Sequence, residues 1–181
     1  MKRMLWLLSV VLLSGVASYA GTDTNAQPVK VGAYDSRAVA FAYFTSGPYQ
    51  TDLKKQIAAA QTARTSGDTN QFNALAAILR DKQDDMHRQV FSIAPATEAM
   101  AALKDRLPVI EKNAGVVDVI SKWDEAALQG YKNAEQVDIT DSLVHEFMVP
   151  NEKQSKTIES IKTAKPIPLD ECNDLIRKGQ L

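Results

Sequence analysis

"VKVGAYDSRAVAFAYF", residues 29–44, decides how the rest of the chain is read. Its opening alternates with the period of a β-strand, Val29, Val31 and Ala33 on one face and Lys30, Gly32 and Tyr34 on the other. Within a few residues the spacing turns helical, and most of the chain beyond Phe44 reads as helix. A lone strand leaves its backbone donors and acceptors unpaired, so the chain must supply a partner elsewhere. The β-branched run "VVDVISKW" (116–123), directly after Gly115, is that partner, with Val117 and Val119 set against Val29 and Val31. Pairing of 29–34 with 116–122 turns everything between them into a helical excursion clamped at both ends by one small sheet. "YKNAEQVDI" (131–139) offers a third strand. Sheet edges left exposed are usually paired or covered, and oligomerisation through the sheet is one way to do so.

The excursion begins with a short helix capped by Asp35 or Ser36, with Val39, Phe41 and Phe44 as its apolar positions. "TSGP" (45–48) interrupts it, and Pro48 is placed to open the next helix. Tyr49, Leu53, Ile57 and Ala60 then recur at helical spacing until "TSGD" (65–68). Asp68 with Gln71 has the form of a capping box and starts a second helix lined by Phe72, Leu75, Leu79, Met86 and Val90. Two amphipathic helices joined by a tight polar turn make an antiparallel hairpin. Neither has the broad apolar face of a bundle helix, so together they read as an arm. Pro95 breaks the returning helix, "ATEAMAALKDRL" resumes it with Met100, Leu103 and Leu107 inward, Pro108 marks a further kink, and Gly115 stops it. "DITDSLVHEF" starts a later helix, with Thr140 or Asp141 as cap, Leu143, Val144 and Phe147 as its apolar face, and Pro150 as its end. The sequence therefore predicts an α+β fold, mainly α, with a small β body and a projecting helical hairpin arm at about 47–113. The last stretch, 151–181, has a different texture. "NEKQSKTIESIKTAK" offers only Ile158 and Ile161 as large apolar contacts, a surface helix at most, and a short final helix capped at Asp170 buries Leu175 and Ile176.

The first twenty residues carry a basic start (Lys2, Arg3), the apolar run "MLWLLSVVLL" and small residues in "ASYA" (17–20), the pattern of a cleaved signal peptide. A membrane anchor is the alternative, but Ser9, Ser14, Gly15 and Ser18 dilute a run at the short end of spanning length. Residues 21–28, "GTDTNAQP", suit a mobile leader. The pattern implies export, with no stable membrane insertion after cleavage. Removing Lys2 and Arg3 from 21 basic residues leaves 19 against 22 acidic ones, a net charge of −3. That balance argues against nucleic acid as a partner. Cys172 is the only cysteine, so it makes no internal disulfide; buried, free and intermolecular states are all open to it, and burial is the simplest.

No constellation of catalytic or metal-binding residues stands out, and no cofactor is implied. Asp84 and His87 share a helical face, but zinc wants three or four ligands and nothing nearby completes the set. His145 follows Asp141 by four residues, the spacing of an ion pair on a helix surface. There is no nucleophile elbow and no H-E-x-x-H, and "GDTNQF" has one glycine, too few for a phosphate loop. An enzyme is the minority reading. The arm carries what functional content there is. Tyr49, Leu53, Ile57, Phe72, Leu75, Leu79, Met86 and Val90 mostly zip its helices together, and any left over offer weak, plural apolar contacts of the kind unfolded chains accept.

Three segments carry a resemblance: "VKVGAYDSRAVAF" at the expected mature start, "EKNAGVVDVIS" where the arm rejoins the body, and "AEQVDITDSLVHEF" near the body's end. In this order, with a signal peptide before them and a helical hairpin between, the chain resembles the Skp/OmpH family of periplasmic chaperones over residues 29–148. The resemblance implies a homotrimer whose strands form a small body and whose arms surround a cavity. Unfolded outer-membrane proteins would be held there without ATP. The chain departs from the family in a shorter arm interrupted by Pro95, in a slightly acidic balance, and in the segments 121–130 and 151–181. An envelope adaptor that keeps the body fold and binds one folded partner is the other reading.

Overall fold

Three short strands run parallel, and that orientation organises the molecule. The computed structural model describes residues 28–181, so the signal-peptide reading of 1–20 and most of the leader lie outside the described residues. Strand β1 (Lys30–Tyr34) is central, flanked by β2 (Val119–Ser121) on one side and β3 (Glu135–Asp138) on the other. Gly32 pairs with Val119 and Tyr34 with Ser121 across one ladder; Lys30 pairs with Glu135 and Ala33 with Asp138 across the other. The clamp between the mature start and the segment after Gly115 is therefore present, and the third strand is present too.

The ladder is shorter than the β-branched run suggested. Val29 and Val117 lie outside the strands and are more than half exposed, although each still joins the hydrogen bonding through its backbone. The Val117 N–H donates to the Lys30 carbonyl (2.9 Å), and the Val29 carbonyl accepts from the Glu135 N–H (2.9 Å). The alternating faces of β1 are both covered. A central parallel strand is covered on both sides, and Val31, Gly32 and Tyr34 are all buried. Ile139 lies so close over Gly32 that an added Cβ would come within 2.6 Å of its Cδ1.

Parallel strands need crossover connections, and helices supply them. After β1 the chain forms α1 (Ser36–Phe44), α2 (Gly47–Ser66), α3 (Thr69–Phe91), α4 (Thr97–Leu103) and α5 (Leu107–Ala114) before reaching β2. Then come α6 (Glu125–Gln129), β3, α7 (Thr140–Phe147), α8 (Glu152–Thr163) and α9 (Leu169–Arg177). The stops fall where the sequence punctuates. Gly67 and Gly115 end α2 and α5 in the left-handed conformation, at φ +76° and +67°, which glycine adopts without a Cβ penalty. Asp68 accepts from the Gln71 N–H (2.9 Å), but its own N–H is committed to the Ala63 carbonyl, so the capping box is only half made.

Helix α1 forms the centre of the core. Its Ala38, Ala40 and Ala42 are fully buried and, having small side chains, let α3, α4, α7 and α8 approach it closely. Phe44, Leu103, Ile110, Leu143, Val144 and Ile158 complete the same cluster. The expectation of a mere surface helix for 152–163 therefore understates α8, which is pinned by Ile158. An Asn151–Gln154 capping box starts it. Helix α9 packs on α3, and Cys172 is fully buried there.

The two sheet edges differ. On β2 the Val119 N–H is taken by the Asp118 carboxylate (2.8 Å), whose other oxygen accepts from the Tyr131 hydroxyl (2.9 Å). On β3 the register with β1 turns the backbone groups of Gln136 and Asp138 away from the sheet.

Candidate functional site

Because the strands are parallel, the residues after each one converge at a single end of the sheet: Asp35 after β1, Lys122 and Trp123 after β2, Thr140 after β3. Asp35 is their hub. It caps α1 by accepting from the Arg37 N–H (3.0 Å), and its two oxygens grip the Arg37 guanidinium at Nε (3.1 Å) and Nη2 (2.9 Å). Lys122 Nζ lies 2.8 Å from Oδ2, and the Trp123 indole N–H donates to Oδ1 (3.3 Å). Both cations stack on the Trp123 ring, Arg37 at 5.0 Å and Lys122 at 4.7 Å from its centroid. The Thr140 hydroxyl accepts from the Asp35 N–H (3.0 Å), so it stitches β1 to α7 and does not cap its own helix. Arg37 also donates to the Ala164 carbonyl at the end of α8 (3.0 Å).

Burial pushes the Asp35 carboxyl up, but hydrogen bonds and charge from Arg37 and Lys122 outweigh that and hold it below its ordinary range. With every oxygen occupied and Arg37 enclosed, the cluster is a structural clamp with no vacant acid, base or nucleophile. Beside it, Tyr34 is raised to about 12 by burial and by the nearby Asp124.

The second candidate lies between α2 and α3. Tyr49, Leu53 and Ile57 from α2 face Leu79, Lys82, Gln83 and Met86 from α3 across a groove of about 280 Å³. Lys82 closes one side, 3.7 Å from Asp52 and over the Tyr49 ring. Of the eight arm residues named from sequence, five line this groove. Val90 is instead buried in the main core; Phe72 and Leu75 are half-buried nearer the turn. Few side chains on the pair are fully buried: Ala60 and Ala63 on α2, Gln89 and Val90 on α3. Ile57 and Ile78 are 39% and 47% exposed. At the base, Tyr43, Phe44, Tyr49 and Phe147 interlock edge to face and hold the start of α2 against α7.

His87 serves packing, while His145 is exposed. His87 lies 5.8 Å from the Phe91 ring, and its carbonyl meets Cys172. The expected His145–Asp141 ion pair is replaced by Lys162, which takes Asp141 at 3.3 Å. Sequence reasoning treated Asp35 only as a helix cap and missed its partners. The signal was a buried-type acid at a strand end with Arg two residues on, and Lys-Trp at the end of the strand expected beside it.

Comparison with protein-family models, curated proteins and solved structures finds no match to this chain. Among the described residues no helix is long and apolar enough to cross a membrane.

Proposed function

We propose that the protein is a non-enzymatic, ATP-independent periplasmic chaperone of the Skp/OmpH type. Helices α2 and α3 form an antiparallel arm projecting from the body and hold unfolded, outer-membrane-type polypeptide through apolar contacts. One observation carries this reading: a long helix pair keeps an apolar groove and isolated isoleucines open to solvent, while its base is locked into a dense core. Plural, shallow apolar contacts with Met86 among them suit clients that share no single shape. The three sequence motifs at 29–41, 111–121 and 134–147 support it independently. In a homotrimer three such arms would surround the client.

The test is dilution of a urea-unfolded outer-membrane protein into buffer with the purified protein, with turbidity as the readout. Suppression at near-stoichiometric ratios supports the reading, and normal aggregation at several-fold excess ends it. Capture of one folded envelope protein without any effect on turbidity would favour the adaptor reading. Light scattering on the same sample gives the assembly's mass, and a monomer removes the shared cavity.

A further inference from the structure

The chain after Ile167 is attached differently from everything before it. Up to that point the backbone is tied down: Arg37 holds the Ala164 carbonyl, and the Ile167 N–H donates to the Phe91 carbonyl (2.9 Å) in a one-residue parallel bridge between Ser92 and Ile167. Pro166 and Pro168 then stiffen the lead into α9. Beyond Pro168, among the described residues, no ion pair and no backbone hydrogen bond joins α9 to any other element. The Arg177–Asp174 pair is internal to the helix, and the polar links outward run only through the Cys172 thiol, which meets the His87 carbonyl (3.9 Å) and the Ser92 side chain.

What holds α9 is a narrow apolar stripe: Cys172 fully buried, Leu175 and Ile176 half-buried, on the last turns of α3. None of the three belongs to the main core. A helix of nine residues does not stand alone in water, so losing the stripe means losing the helix. Segments with few buried contacts and no tertiary hydrogen bonds open first, well below the cost of global unfolding.

The seat matters because of where it is. Along α3 the open groove is lined as far as Met86, and α9 begins its cover at His87. Phe91, whose ring lies 5.8 Å from that of His87, is 41% exposed beside that cover. We propose that α9 is a detachable C-terminal latch, which covers the base of the binding helix and is released when an unfolded chain occupies it. This rests on the chaperone reading. Release would bare the face of α3 at His87 and Phe91, about a quarter turn round the helix from the Leu79–Met86 groove face.

Cys172 is the only thiol in the chain and lies under the latch, so its modification reports opening directly. Its thiol is also pushed up by burial, which slows labelling further. The experiment tracks labelling of the purified protein by a disulfide reagent at rising urea, below the urea at which the helical circular dichroism falls. A local latch gives a rate nearly flat in urea, and Leu175→Ser raises it by about tenfold or more without changing the helical transition of the rest. A rate that climbs in step with global unfolding, in both proteins, overturns the latch. The second arm adds reduced, carboxymethylated lactalbumin, an unfolded chain without free thiols. If it binds and labelling accelerates severalfold, the latch is client-released. If it binds and the rate is unchanged or slower, that role is overturned while the chaperone reading stands. If it does not bind, the chaperone reading fails and takes client release with it, leaving the urea arm to decide detachment alone.

Discussion

The carboxyl end of the sheet and the α2–α3 pair are opposite solutions to the same problem of placing side chains. At the sheet end, Asp35, Arg37, Lys122, Trp123 and Thr140 come from four elements and leave nothing unpaired. Along the helix pair, residues come from two neighbours in sequence, and apolar surface is left facing water. The first region commits chemically capable side chains to rigidity. The second leaves chemically plain ones exposed to solvent. Under the proposed chaperone function, polar richness is a poor guide to function and incomplete burial a better one.

The sharpest way to break this contrast is to empty the hub. Asp35→Ala leaves the enclosed Arg37 without its carboxylate, and removing one partner of such a buried pair typically costs about 3–5 kcal/mol. Chemical denaturation should register that loss, and a change below about 1 kcal/mol would mean the cluster is solvated and no clamp. The same hub sets an acid limit. Because the folded state depresses the Asp35 pKa, its contribution is complete above the unfolded carboxyl range. It fades as the pH falls through the lowered folded value, beneath the ordinary aspartate range. Denaturation midpoints of the wild type should drop there more steeply than those of Asp35→Asn.

Next in size is Gly32→Ala. Its Cβ would press on Ile139 inside the sheet, and overpacking of this kind costs roughly 1–3 kcal/mol. Adding Ile139→Val should recover part of it, because that substitution removes the clashing Cδ1. Smallest in stability is Ile57→Ser. A side chain already 39% exposed forfeits under about 1 kcal/mol, so the thermal midpoint barely moves while suppression of client aggregation weakens. Loss of stability without loss of suppression would reverse the assignment of the two regions.

The legibility of each region depends on how local its causes are. The clamp between 29–34 and 116–122 could be read because β-branched runs and Gly115 announce it in adjacent residues. The helix pair could be read from spacing, with Pro48 visible as the opener of the first helix and Asp68 as the cap of the second. The hub could not, since Asp35, Lys122 and Thr140 are far apart in sequence and only parallel strands bring their carboxyl ends together. Nor could the seating of α8: two isoleucines, Ile158 and Ile161, among polar neighbours give little periodic signal, yet Ile158 is buried and Ile161 packs on the core. Val29 and Val117 misled for the converse reason, because β-propensity marks residues that fit a strand even where the ladder has frayed.

Asp118 has a bearing on how copies of this chain can meet. By binding its own neighbour's amide it fills the outer rim of β2, and Tyr131 braces it in place. A head-to-tail ring built by joining one copy's β2 rim to the next copy's β3 rim would have to evict that carboxylate three times over. On the outer flank of β3, by contrast, the backbone groups of Gln136 and Asp138 face away from β1, and the sheet can lengthen there without such an eviction.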